Sequence, residues 1–459
     1  MGSRKPIRYL AAFVGAAAMA SLAAIPLAGV TATSAAAATT TTARAVPATI
    51  GYNGKPLYTE TAGPHAGLFS CQAPESAANP VPCFGPSQIR TAYAVPSNLT
   101  GSGQTIAIID AFGNPYIASD LALFDSTFGL PAAHLNIICV ASATSTGPCP
   151  KFDINNADEV DWAGEIALDT QWSHAIAPGA TIDLVIAKSD QDPDILAAQQ
   201  YTINHNLGDV LSQSFGEWES CLQSETSIWN ATLAAFQAAQ TENMSVFASA
   251  GDQGSAVYNC PGTALVKGVN MPASDPLVTS VGGTHLNANY VTGQYQSESV
   301  WNNSGLNPDF GAGGGGYSTI FPRPSYQNPL ATGSAFRGVP DVTYNADVYN
   351  GVLAACSACN DGTAAFFIFG GTSSGSPQWA AITTLADQAA GHRLGFLNPT
   401  LYDLAGSAFY ASIFHDVTVG NNAWDVAGVS GYSAHRGWDA ASGLGSPYVI
   451  SLVHFLAAS

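Results

Sequence analysis

One serine stands where a strand turns into a helix. Residues 369–377 read Phe-Gly-Gly-Thr-Ser-Ser-Gly-Ser-Pro, an apolar run that ends in two glycines and then hydroxyl residues. Glycines let the backbone turn sharply, and Pro377 suits the first turn of a helix. A hydroxyl at that corner, Ser373 above all, lies beside helix N-terminal N–H groups that favour developing negative charge. This is the setting of a nucleophile. The plainer use of Thr372, Ser373 or Ser374 is to cap the helix.

A serine nucleophile needs a base. No His-Gly dipeptide occurs, so the His-Gly-Thr setting of a subtilisin-type base is missing around His174, His205, His285, His392, His415 and His435. The segment 163–172 (Ala-Gly-Glu-Ile-Ala-Leu-Asp-Thr-Gln-Trp) supplies two acids instead. Glu165 and Asp169 are four apart and share a helix face. Ile166 and Leu168 beside them pack inward, and no Lys or Arg accompanies them. Two carboxylates so placed repel if both ionise, which suits a shared proton. Glu165 would take the serine proton, with Asp169 orienting it. A solvated acidic face is the alternative.

A third acid follows a strand at 246–254 (Val-Phe-Ala-Ser-Ala-Gly-Asp-Gln-Gly). Asp252 is either an ordinary Gly-Asp turn residue or, when protonated, a donor to a tetrahedral oxyanion. The second role asks for acid pH or a raised pKa.

Elements able to carry these residues are legible from periodicity. Apolar strands are predicted at 105–110, 182–187, 209–215, 245–250, 278–282 and 365–369, with helices at 160–174, 194–206, 225–240 and 376–390. Strands alternating with helices imply one doubly wound α/β domain over 88–459, with a mainly parallel sheet and helices on both faces. Ligands then belong at the carboxyl ends of the strands.

Composition bounds the rest. The 459 residues carry 13 Lys and Arg against 32 Asp and Glu, for a net charge of −19. Such an acidic surface argues against a nucleic-acid partner. Only 10% of residues are charged, so few ion pairs are lost in acid. Arg4, Lys5 and Arg8 precede an Ala-rich apolar run that ends in small residues near Ala38. Residues 1–38 therefore read as a secretory signal peptide, and 39–87 as a short extension. Export, no membrane tie after cleavage, and a monomer are the expectations. Eight cysteines fit export. The simplest connectivity joins neighbours, 71 to 83, 139 to 149, 221 to 260 and 356 to 359, with the Cys356–Cys359 pair as a small structural loop.

The order Glu165, Asp169, Asp252, Ser373, with Gly-Gly-Thr-Ser-Ser-Gly-Ser-Pro around the serine, resembles the sedolisins, the serine-carboxyl peptidases. Further matching segments are 101–111, 271–276, 281–284, 314–318 and 340–342. The resemblance implies a subtilisin-like fold and an acid-active endopeptidase or tripeptidyl-peptidase acting on proteins or peptides. It makes Ser373 the nucleophile, Glu165 the general base and acid, Asp169 its supporting acid and Asp252 the oxyanion donor. It also implies one Ca2+ ion near the C-terminus. Asp416 and Asp439 would give side chains, and Val417, His435 and Gly437 backbone carbonyls; His435 stands where the family usually has Gly. Residues 211–216, with Ser212, Ser214 and Gly216, resemble the strand edge that pairs with substrate, and Gly315 would line the other side. The family's long pro-segment is not matched by the stretch of about 50 residues between leader and domain. Two rivals remain, an inactive secreted binding protein on this fold and a serine esterase, since 371–375 also satisfies Gly-x-Ser-x-Gly.

Overall fold

Alternate residues of Thr105–Ala111 (β1) serve two different cores: Ile106 and Ile108 face one, and Ala107, Ile109 and Ala111 the other. A strand buried on both faces needs strands on both edges and cover on both sides. The computed structural model supplies them. It describes residues 46–47, 50–51, 69–72, 81–306, 310–330 and 333–458; the leader expected at 1–38 lies outside these.

Parallel to β1 run His134–Ser142 (β2), Thr181–Ala187 (β3), Val210–Gln213 (β4), Ser245–Ser249 (β6), Thr279–Ala288 (β7) and Val342–Asn345 (β9). The short strand Phe215–Trp218 (β5) lies outside this sheet, and Tyr295–Val300 (β8) closes one edge antiparallel. The order is β8-β7-β6-β4-β1-β3-β2, with β9 also on β7. Helices Ile117–Phe128 (α1), Ala157–Ile176 (α2) and Gly375–Ala390 (α5) cover one face; Asp192–Asn204 (α3) and Thr226–Thr241 (α4) cover the other. The expected α/β class is what forms.

Two expectations are corrected. The stretch 209–215 is not one strand: it breaks at Ser214 between β4 and β5. The strand Phe366–Gly370 (β11) stays out of the parallel sheet. It pairs antiparallel with Gly351–Ala355 (β10) in a second small sheet. Periodicity reports burial on two faces and is blind to which sheet provides it.

The second sheet explains helix α2. From Trp162 to Ile176 this helix is buried all round, as expected for a helix packed on two sides. Gln171 ties it to β10 by accepting from Ala355 N at 2.8 Å and donating to Ala355 O at 2.7 Å, and Trp172 Nε1 donates to Leu353 O. Glu165 and Asp169 are thereby held inside the protein.

All four neighbouring cysteine pairs are bridged. Among the described residues no helix is long and apolar enough to cross a membrane. The Pro-Asp-Val motif at 340–342 has a structural use. Arg337, fully buried, makes a two-pronged contact with Asp341 at 2.8 and 2.7 Å. Arg337→Met leaves the buried Asp341 carboxylate without a counter-charge, held only by neutral donors from Ser280 N, Tyr402 and Asn398, so urea denaturation should show a loss of about 3–5 kcal/mol.

Candidate active site

The second sheet delivers the serine. β11 ends at Gly370, Gly371 turns the chain at φ +93°, and Thr372–Ser374 make one tight turn before α5. A positive φ is costly for any residue with a Cβ, which accounts for the glycine. Ser373 is fully buried, and its Oγ donates to the carbonyl of Ser214 at 3.2 Å. Ser214 stands at the break between β4 and β5.

Glu165 comes from the middle of α2. Its carboxyl is buried beside the Ser373 hydroxyl, which favours the charged form, but neither oxygen receives a well-aligned hydrogen bond. Burial first, then the charges of Asp169 and Asp110, push its pKa well up. Asp169, one turn further on, accepts from Ser214 Oγ at 3.0 Å. Burial raises it too, while Ser214 and Glu165 hold it back. A charge on Asp169 in turn raises Glu165.

A third acid in this cluster was not among the candidates. Asp110 lies near the end of β1, on the same face as Ile106 and Ile108, and is fully buried with no donor to either oxygen. Burial and Asp169 raise its pKa. The available signal was an acid closing an otherwise apolar strand, Thr-Ile-Ala-Ile-Ile-Asp-Ala.

Asp252 reaches the serine from the loop after β6, past Gly251 at φ +107°. Its Oδ1 accepts from Thr372 N and Thr372 Oγ1, both at 2.8 Å, while buried Oδ2 has no partner. Burial lifts its pKa to about 7 against these two bonds. The carboxyl is therefore neutral over the whole acid range, with Oδ2 able to carry a hydrogen. No unusual acidity is required, which relaxes the condition set from sequence. Thr372 locks the turn further by accepting from Gly251 N at 3.0 Å.

The residues expected to bind substrate divide. Ser214 is at the centre of the site. Gly216 sits on β5, whose edge is already paired: Val46 lies opposite Gly216 and Pro47 opposite Phe215, antiparallel. Ile50 and Gly51 then pair with Gly370 and Phe369, just before the serine turn. The chain's own backbone thus runs along the expected peptide path. Ser212 is corrected: it is buried in β4 between two parallel neighbours, its Oγ 2.9 Å from Ser376 Oγ under α5. Gly315 is corrected as well. It is buried, its N–H spent on Gly254 O at 3.3 Å, and an added Cβ would strike Ala440 O. It packs loops together; a cleft wall it is not.

The five residues expected around a cation do converge. Asp416 accepts from Gly437 N at 3.1 Å with each oxygen, Asp439 accepts from His435 N at 2.9 Å, and Ser442 Oγ links Asp439 to the carbonyl of Val417. The donors are all oxygen, the chemistry a hard cation takes. Among the described residues no three His, Cys, Asp or Glu side chains cluster as ligands, so backbone carbonyls would have to complete the shell.

The chain is similar in sequence to known proteins, one of which shares its fold. It is 36% identical to kumamolisin of Bacillus sp. over 386 residues, 81% of this chain and 63% of that protein. It is 32% identical to sedolisin of Pseudomonas sp. over 389 residues, 81% of this chain and 61% of that protein. The chain belongs to the sedolisin family. A solved structure of Pseudomonas sedolisin, a serine-carboxyl proteinase complexed with pseudo-iodotyrostatin, aligns with a TM-score of 0.71 at 28% identity, covering 83% of this chain and 99% of that one. Human tripeptidyl-peptidase 1 is 28% identical over 406 residues. No family model matches the chain. This sedolisin-family chain spans under two thirds of the length of kumamolisin and sedolisin.

Proposed function

We propose that this chain is a secreted, acid-active serine-carboxyl peptidase that hydrolyses proteins or peptides through an acyl-enzyme on Ser373. The observation that carries the reading is the meeting of Ser373, from the second sheet, with buried Glu165 from α2 and a neutral Asp252 from the β6 loop.

Ser373 Oγ attacks the scissile carbonyl carbon, and its proton passes to Glu165 as the Glu165 proton moves to Asp169. Asp110, itself raised by burial and by Asp169, adds a further acidic neighbour that opposes a second charge beside Glu165. The new oxyanion accepts from Asp252 Oδ2–H. Glu165 returns a proton to the leaving amine, the C–N bond breaks, and the acyl-enzyme remains. Water then attacks the ester, Glu165 takes its proton, and collapse restores the Ser373 hydroxyl. Burial keeps this pair largely protonated in acid, so the reacting form is the fraction that has lost one proton, whereas an imidazole base would be fully charged there.

An exported protein agrees with the four disulfides and with the leader at 1–38. The segment 46–51 is the part of the short extension we assign to covering the cleft before activation, supported by its pairing with β5 and β11. We further assign one Ca2+ to Asp416, Val417, His435, Gly437 and Asp439. A bound calcium would cross-link the C-terminal loops and play no part in the chemistry. Chelation is expected to lower Tm by several degrees in differential scanning calorimetry, with recovery on adding Ca2+ but not Mg2+, which demands tighter geometry. An unchanged Tm refutes the assignment.

Hydrolysis of a denatured protein and of a p-nitrophenyl ester, measured from pH 3 to pH 8, tests the function. Protein cleavage with an acid optimum supports it. Ester cleavage alone points to an esterase, and neither activity points to a binding protein.

A further inference from the structure

Below the β5 edge lies a half-open recess of about 340 Å³, open solvent included, lined by Asp192, Ile195, Gln199, Phe215, Glu217 and Leu222 among others. The mechanism above makes no use of it. We propose that this recess is a specificity subsite for a lysine or arginine side chain of the substrate, at the third position upstream of the residue whose carbonyl is attacked. The proposal rests on the peptidase reading and adds to it the position and charge of a preferred side chain.

Register defines the position. Val46 and Pro47 show how a peptide pairs here: antiparallel, one residue opposite Gly216 and the next opposite Phe215. The following residue comes opposite Ser214, whose carbonyl touches the Ser373 hydroxyl, so that residue presents the scissile carbonyl. Counting back, the third residue upstream stands opposite Glu217. Residues two apart on a strand share a face, and directly opposed residues in an antiparallel pair project together. Phe215 and Glu217 both line the recess. A substrate side chain opposite Glu217 therefore enters it.

Charge defines the occupant. Asp192, at the start of α3, is 5% exposed, and its Oδ2 has no hydrogen-bond donor. The Glu217 carboxyl is near enough to share a proton with it. Asp190 and Glu225 add further negative charge from the preceding loop and from the start of α4. Among the described residues no Lys or Arg lines the recess. Burial, with the charges of Glu225 and Asp190, pushes Asp192 up to about 7 while its hydrogen bond with Glu217 holds it back, and burial with the charge of Asp192 pushes Glu217 to about 9. Two carboxyls crowded together without a cation must keep a proton or acquire a positive partner. The aliphatic walls suit the stem of a long basic side chain, and the carboxyl pair its charged tip. Gln199 spends one of its two amide hydrogens on Gln213 Oε1 at 2.7 Å.

The test is a set of N-acetylated peptides of one sequence, differing only at that position: Arg, Lys, citrulline and Leu. Charge-assisted hydrogen bonds predict that kcat/KM for Arg exceeds that for citrulline by about 10- to 100-fold. Within Glu217→Gln the Arg-to-citrulline ratio should collapse toward one. Asp192→Asn reads out the same change should the first variant fail to fold. A ratio taken inside one protein sample is independent of how much of it is folded. Equal rates for Arg and citrulline in the wild type, or a preference that survives both substitutions, overturn the proposal. So does a preference that follows a free amino terminus instead of the side chain. If no peptide is cut while an ester is, the peptidase reading itself falls and this proposal with it.

Discussion

Ser373→Ala is expected to reduce kcat for peptide hydrolysis by on the order of 10⁵- to 10⁶-fold, leaving the fold intact. Only a hydroxyl oxygen is removed, and its one hydrogen bond, to Ser214 O, lies at 3.2 Å, so circular dichroism and Tm should barely move. Glu165→Gln should fall nearly as far. The amide keeps size and polarity but cannot accept and return a proton, and residues acting as one relay lose activity together. The double variant should therefore be little worse than either single one. Active protein should also lose residues 46–51 from the cleft, so N-terminal sequencing should show a shortened chain, whereas Ser373→Ala should retain them. Substantial turnover in Ser373→Ala would remove that serine from the chemistry. Additive losses in the double variant would separate Glu165 from it.

Asp252 supports the second large effect, and it has two readouts. Asp252→Ala removes the oxyanion donor and should cost about 10²- to 10³-fold in kcat. Asp252→Asn keeps a donor and an acceptor for Thr372, so its loss should be smaller. Its signature lies in pH dependence. In the wild type, activity should fall on the alkaline side with an apparent pKa near 7, where Asp252 loses its proton. In Asp252→Asn that limb should vanish.

Stability should move in step. The folded-state value of Asp252 is raised above the ordinary 3.8, so its contribution is fully present below about pH 4 and is lost as pH rises through about 7. At about 1.4 kcal/mol per pH unit, the loss is on the order of 4 kcal/mol by pH 8. Asp252→Asn should match the wild type near pH 3.5 and exceed it at pH 8. Glu165, Asp169 and Asp110 are raised by burial as well, which adds to the same trend. A wild-type Tm that is flat between pH 4 and pH 8 would refute the burial account of these carboxyls.

Particular residues show why some of this was readable in advance. Glu165 and Asp169 sit four apart on a strongly apolar helix, and Ser373 follows a Gly-Gly corner; both patterns are local, so short-range rules reach them. The cysteine pairs closed between sequence neighbours for the same reason. Asp110 escaped notice because one acid at the end of a strand is locally unremarked. Only the packing of α2 over β1 gives it two acidic neighbours. Ser212 misled because a strand read as an exposed edge lies between two others, and the strand that pairs with residues 46–47 begins only after the break at Ser214.

By itself the sequence determined the α/β alternation, the residue types able to do acid chemistry, and the apolar surroundings in which they must sit. These follow from period and composition along a short window. The tertiary structure alone decided that β11 leaves the parallel sheet to present Ser373, that a neutral Asp252 meets it from another loop, and that residues 46–47 pair with β5 and residues 50–51 with β11. Each joins segments tens to hundreds of residues apart. Such contacts form because burial and hydrogen bonding in the whole fold repay the entropy of bringing distant chain together, and no local pattern records that balance.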